Sequence, residues 1–446
     1  MNDNTKSKET TFTFDKIKQD VLRPMQNHKG LELWIVFLIT VISVGAWAYY
    51  VQLRDGLAVT GMRDYVSWGL YIANFVFFVA VSLVGMLISS ILGLLKVDWI
   101  APISRIAEII AVAFVAVAGL VIVLDMGRPD RVLNVLIHGR FQSPILWDVT
   151  VITTYLVISS LLLILPMIPD LAICKKEIKT APPILKKLYA ILSFGYTNTP
   201  EQHKHLHKMI RTLMVLIVPV GLAIHTVTSW LFAATLRNGW DTTIFGPYFV
   251  AGAFVAGSAA LVIAMYFFRV NYKLKDYITE LHFDKMGKLM VAVCLVYLYF
   301  NVNEFLVPGY KMKSGDSVHL KELFFGSWAI MFWASQLLGN ILPIMLMVNK
   351  RFRMPKPMMI ISIFVIASAW FKRYVIVIPT MLHPHLPIQN VPDHVKHYFP
   401  SSVEITVTVL SFALALLIIT VLSKIFPVVP ICEIADQKGI DYKIEE

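Results

Sequence analysis

The chain has 446 residues, 57% of them hydrophobic and only 15% charged, with a mean hydropathy of +0.67. A soluble protein of this length seldom exceeds about half apolar residues, which excludes a soluble globular domain. The formal charge of +11 would suit nucleic acid, but the charges lie between long apolar runs and not on one basic face, which excludes that partner.

Residues 1–30 read as a polar tail with an amphipathic stretch around residues 12–22. Ten apolar runs follow, at about 31–53, 67–95, 100–124, 145–168, 209–233, 246–269, 284–306, 327–349, 356–380 and 402–426. Each has the roughly 20 residues that a helix needs to cross a hydrocarbon layer about 30 Å thick. The pattern predicts an all-α integral membrane protein with ten transmembrane helices over 31–426, followed by a polar tail at 427–446. A weak parallel repeat, "WGLYIANFVFF" at 68–78 against "FGPYFVAGAFV" at 245–255, groups helices 2–5 and helices 6–9 as corresponding four-helix units.

Of the 40 Lys and Arg residues, 28 fall in the N-terminal tail, the even-numbered connections with their helix ends, and the C-terminal tail. The other 12 fall at the odd-numbered connections and adjoining helix ends. The positive-inside rule then puts both termini in the cytoplasm, with attraction for anionic lipid as a secondary consequence. The first 30 residues lack the apolar core of a cleavable signal, so the first helix is expected to remain. The longest cytoplasmic connection holds "APPILKKLYA", whose prolines argue against one continuous helix.

Ionisable side chains inside a bilayer are costly unless paired or facing a polar cavity. Arg105 and Glu108, three residues apart, are expected to pair with each other. Gln336 and Asn340 are expected to hydrogen-bond between helices. The outward connections gather Asp125, Arg128, Arg131, His138, Asp148, Trp240, Asp241, Glu304, Arg373, His383 and His385 at one face. The plain reading of such a rim is headgroup anchoring; the sharper one is a pocket where a lipid-soluble substrate exchanges protons. A quinone needs an apolar cleft, hydrogen-bond partners for two oxygens and a titratable group near water. His138 and Asp148, with Trp68 and Asn74 on a neighbouring helix, supply those types.

Haem ligation would need paired histidines inside helices, and only His225 of the twelve lies well inside one. Cys174, Cys294 and Cys432 are far apart and form no C-x-x-C, so no iron–sulfur cluster is expected in this chain. Electrons passing through such a protein would therefore meet a redox centre held by a partner. A transporter remains a rival, although the midplanes are mostly Val, Ile, Leu, Phe and Ala.

The stretches "YVSWGLYIANFVFF" (65–78), "DMGRPDR" (125–131) with His138 and "SPILWD" (143–148), "HTVTSW" (225–230), "WDTTIFGPYFVAGAFVAG" (240–257), "YLYFNVNEFLVPGY" (297–310) and "RYVIVIPTM" (373–381) resemble the NrfD/polysulfide-reductase family of membrane subunits. The resemblance spans about residues 30–425, and the Gly-Arg-Pro plus Ser-Pro-x-x-Trp-Asp combination is its most specific part. It implies two four-helix bundles, helices 2–5 and 6–9, with helices 1 and 10 peripheral. It also implies a membrane subunit in a bacterial inner membrane that binds quinone or menaquinol and carries no cofactor of its own. The expected partners are an iron–sulfur ferredoxin-like subunit on the outer face and a molybdopterin-type or related catalytic subunit. Carried onto this chain, the headgroup candidates are Trp68, Tyr71, Asn74, His138 and Asp148. His225, Asp241, Arg373 and Glu304 are expected in the pocket or its proton route. Gly127, Arg128, Pro129, Arg131, Ser143, Pro144 and Trp147 form the motif frame.

The ten-helix length is most similar to subunits of alternative complex III, where multihaem cytochrome c is a partner, and of periplasmic quinone reductase complexes. Ser82-Leu83-Val84-Gly85 departs from the histidine-bearing helix-two pattern of the former, leaving the subfamily open. Two rival functions stay open: a purely structural anchor, and an ion- or proton-translocating subunit without its own quinone site.

Overall fold

The computed structural model describes residues 13–26, 30–178, 182–235, 237–384, 392, 396–440 and 442. Among them no β-strand occurs; the one isolated bridge joins Arg237 to Pro384. A short helix α1 (Phe14–Gln26) precedes ten helices long and apolar enough to cross a membrane. These are α2 (Leu31–Asp55), α3 (Leu70–Leu94), α4 (Asp98–Asp125), α5 (Pro144–Glu177), α6 (Pro200–Ala233), α7 (Phe245–Asn271), α8 (Glu280–Lys311), α9 (Ala329–Met347), α10 (Pro355–Leu382) and α11 (Ser402–Ile425). A last helix, α12 (Ile431–Gln437), follows. The chain is thus a multi-pass integral membrane protein, and each expected run has its helix.

Several ends extend past the apolar runs because local chemistry caps them there. Helix α6 starts at Pro200, nine residues before its apolar stretch, where the Thr199 hydroxyl accepts from the Gln202 N–H and proline takes the first helical position. Helix α11 starts on a capping box: Ser401 accepts from the Glu404 N–H, and Glu404 accepts from the Ser401 N–H. In the long connection, residues 183–192 form a separate helix, Pro183–Leu192, as its prolines suggested.

Helix neighbours follow two closed circuits. In one, α3 packs on α4, α4 on α5, α5 on α6, and α6 back on α3. In the other, α7 packs on α8, α8 on α9, α9 on α10, and α10 back on α7. Contacts of α3 with α7 and α10, and of α6 with α7, join them, while α2 and α11 pair with each other alongside. Helix α3 is the centre: 89% of its apolar window is buried, against 11% for α2. Missing side chains permit the closest approaches. A Cβ on Gly85 would lie 2.0 Å from the Ala107 carbonyl oxygen, and one on Gly257 would lie 2.4 Å from Val84 Cβ.

Helix α1 packs against α11 and α12, so both ends of the described chain meet at one end of the protein. There the structure corrects an expectation. Arg105 pairs with Asp170 at 2.5 Å, not with Glu108, and both side chains are 1% exposed. Arg105 also donates to the carbonyls of Pro166 and Pro427, each at 3.2 Å, and Asp170 accepts from the N–H groups of Ile431 (3.1 Å) and Cys432 (3.0 Å). Glu108 instead accepts from the Ser89 hydroxyl at 2.7 Å. The i, i+3 spacing allows an Arg105–Glu108 pair, but a partner that also anchors two backbone donors satisfies more buried groups.

Candidate functional site

The opposite end carries the connections before α3, between α4 and α5, between α6 and α7, and between α8 and α9, the last holding a short helix, Ser314–Phe324. Helix α5 enters there from Ser143, whose backbone is extended, with Pro144 at its first position. That entry buries Asp148 on the inward side of the first turns, at 3% exposure. Its Oδ1 accepts from the Thr228 hydroxyl of α6 at 2.6 Å. Thr228 lies one turn from His225, which is 2% exposed and whose Nε2 has no hydrogen-bond partner among the described residues. Thr228 thus links Asp148 of α5 to α6, where His225 sits one turn away. A buried carboxylate held by a single hydroxyl, with an unsatisfied imidazole nitrogen on the helix of that hydroxyl, suits proton exchange with a polar ligand.

An aromatic wall stands where α3 begins. The Trp68 ring stacks on Trp240 with centroids 6.1 Å apart and meets Phe232 edge-on at 5.4 Å. Trp240 is itself fixed by its indole N–H donating to the Ile376 carbonyl at 2.8 Å. The next two candidates on α3 are already engaged. The Tyr71 hydroxyl donates to Gln52 at 2.7 Å, and Gln52 donates onward to the Leu124 carbonyl at 2.8 Å. Asn74 donates to Thr408 at 2.7 Å and accepts from the Trp370 indole at 2.8 Å.

The remaining candidates divide by environment. His138 ends the short helix Asn134–Ile137 and is exposed; among the described residues no hydrogen bond or ion pair joins it to Asp148. Asp241 is also exposed. Glu304 is buried and accepts from the Thr242 hydroxyl at 2.6 Å, while Arg373 is buried with its guanidinium carbon 4.8 Å from the Phe249 ring centroid. In the motif frame, Arg128 pairs with Asp130 at 2.9 Å, but both are largely exposed, so the pair contributes little. Gly127 and Arg131 are exposed, and Pro129 is half-buried. Trp147 folds its indole N–H onto the Phe141 carbonyl. His385 lies outside the described residues.

The sequence reading missed a second polar knot beside the site. Glu404 is fully buried and accepts from the Tyr398 hydroxyl (2.6 Å), the Gly61 N–H (2.6 Å) and the Ser401 N–H (2.9 Å). Tyr398 in turn accepts from the Leu70 N–H at 2.7 Å, which fixes the first turn of α3 behind Trp68. Burial beside that carboxylate pushes the Tyr398 phenol well above its ordinary range, so it stays a donor. Gly61 and Gly69 are required here: a Cβ would lie 2.2 Å from the Phe399 carbonyl oxygen or 2.5 Å from the Tyr398 hydroxyl. The Ser-x-x-Glu capping pattern at 401–404 was the signal that could have found it.

Comparison with known proteins gives the chain its place. A family model described as "Polysulphide reductase, NrfD" matches residues 58–384. The chain is 29% identical over 337 residues to a Halobacterium salinarum protein assigned as a membrane subunit of dimethyl sulfoxide reductase, covering 72% of this chain and 70% of that one. It is 23% identical to a selenate reductase subunit of Mesobacillus selenatarsenatis, over 89% of this chain and 94% of that one. It is also 23% identical to the menaquinone reductase integral membrane subunit of Nitratidesulfovibrio vulgaris, over 89% and 92%. With ten membrane-crossing helices and a family match over most of its length, the chain belongs to the NrfD polysulphide reductase family.

Proposed function

We propose that this protein is the quinone-reacting membrane subunit of a respiratory oxidoreductase, with its two helix circuits acting as two four-helix bundles. The observation that carries the reading is the buried Asp148 carboxylate held by Thr228 of α6, the helix that also carries His225 with its free Nε2 and Phe232 against the half-buried Trp68 ring. The relative named as a menaquinone reductase subunit supports the substrate class. Quinol gives up two electrons and two protons on oxidation. Asp148 takes a proton, Thr228 holds the carboxylate oriented, and His225 hydrogen-bonds the ring oxygen; Trp68 supplies the flat apolar surface. Tyr71 and Asn74, already engaged by neighbours, shape the wall. His138, in the exposed loop, hands protons to water. Quinone reduction runs the same contacts backwards.

An azidoquinone photolabel tests this in the assembled complex. Label on peptides from α3, α5 or α6, competed by excess menaquinone, is the expected result. Label confined to other helices, or insensitive to competitor, removes the site and leaves the structural-anchor reading.

Electrons leave to an iron–sulfur partner that docks on the loop-bearing face, the outer face when both termini are cytoplasmic in a bacterial inner membrane. The connection between α4 and α5 exposes Leu133, Leu136, Ile137 and Phe141, the last at 86%. Exposed apolar side chains of this kind suit a protein or membrane contact, and here they form the proposed docking surface. Ile137→Asp with Phe141→Asp is expected to lower co-purification of the partner proteins at least about tenfold, since two buried apolar anchors would face a charge. Retention at the wild-type level in a pull-down from membranes would move the docking surface elsewhere.

A further inference from the structure

Two cationic side chains are buried where α7, α8, α9 and α10 meet. Lys372 Nζ and Arg373 Nη1, neighbours on α10, have no hydrogen-bond partner among the described residues, and the two side chains are buried, with their residues 4% and 3% exposed. Aromatic rings surround them: Lys372 Nζ lies 4.7 Å from the Phe332 centroid, 4.8 Å from Phe305 and 5.8 Å from Tyr248. Ring faces offset only part of the cost of removing an ion from water. The acidic side chain that acts on Lys372 is Glu304, which is held by Thr242, and among the described residues no ion pair joins it to either cation. Arg373 keeps its charge, since a guanidinium does not shed its proton, and among the described residues no ion pair neutralises it.

Both residues border a small void of about 20 Å³, shared with Gly252, Tyr297, Gln336 and Ser368, and the Arg373 guanidinium lies against its Gly252 wall. No carboxylate lines it. The glycine lets the guanidinium approach closely, since a Cβ at position 252 would lie 3.0 Å from Arg373 Nη2. About this much space suffices for a water-sized particle. A sulfate, phosphate or carboxylate ligand is too large. A water would fill the space but leave the charge.

We propose that this void binds one halide-sized monovalent anion, chloride under ordinary conditions, as the counter-ion of Arg373. The test uses the purified full chain in detergent, exchanged at constant ionic strength among chloride, bromide, gluconate and sulfate. Chloride and bromide are expected to raise the thermal midpoint saturably by about 2 °C or more over gluconate and sulfate. Bromide-soaked crystals are expected to give an anomalous peak in the void. Ser368→Val, which fills the space and keeps both cations, is expected to abolish the halide dependence. Equal midpoints in all four salts, or a void without a bromide peak, would show that it holds water and overturn the proposal. A halide effect that survives in Ser368→Val would place the anion elsewhere and overturn it equally.

Discussion

Asp148→Asn is expected to lower quinol turnover of the assembled complex by about 10²–10⁴-fold, the range for loss of a positioned general base. The amide keeps the size of the side chain and can still accept from Thr228, so assembly should be unaffected while the proton acceptor is lost. Thr228→Val should cost less, about tenfold, because the carboxylate remains but is no longer held at 2.6 Å. His138→Ala should change turnover at most a few-fold, since an exposed imidazole is readily replaced by water. The measurement is steady-state oxidation of a menaquinol analogue by membranes holding matched amounts of the complex. Wild-type turnover in Asp148→Asn would sink the assignment. The same membranes, sealed as vesicles, separate the translocating rival: release of more than two protons per quinol would favour it.

The largest expected effect on stability lies at the other end. Asp170→Ala leaves the Arg105 guanidinium buried and unpaired, and strands the N–H groups of Ile431 and Cys432. Breaking a buried pair by removing one partner costs about 3–5 kcal/mol, and each stranded donor adds about 1–3 kcal/mol. The double change Arg105→Met with Asp170→Leu should recover only part of this. It removes the orphaned charge but not the two unsatisfied donors. Unfolding in mixed micelles, followed by helix signal against denaturant, orders the three proteins. An Asp170→Ala midpoint equal to wild type would mean that the pair contributes nothing.

The contrast between these two regions shows what the sequence can display. The ten spans were legible because membrane thickness sets a length that composition records directly. Asp148 was legible because a carboxylate beside an apolar run has to be explained. Its partner was not, since a threonine in an apolar helix most often bonds its own preceding turn, and the Ile224 carbonyl does compete with Asp148 for the one Thr228 proton. Arg105 was paired with Glu108 because helical spacing is visible in a linear text, whereas Asp170, 65 residues away, becomes its partner only through packing. His138 and Asp148 looked equivalent as titratable residues in one motif. Burial separates them, and burial depends on how α5 rotates as it enters the membrane. Glu404 was passed over inside an apolar run, although the serine three residues earlier marked it as a cap.

The contacts of Pro427, Ile431 and Cys432 with Arg105 and Asp170 have a consequence for biogenesis. Arg105 and Asp170 leave the ribosome more than 250 residues before the backbone that completes their coordination. Until α11 is inserted and the chain turns back at Pro427, the nascent protein carries a half-satisfied charge pair at the membrane surface. A chain truncated before Pro427 is expected to leave the pair short of these contacts and to accumulate less in membranes than the full chain.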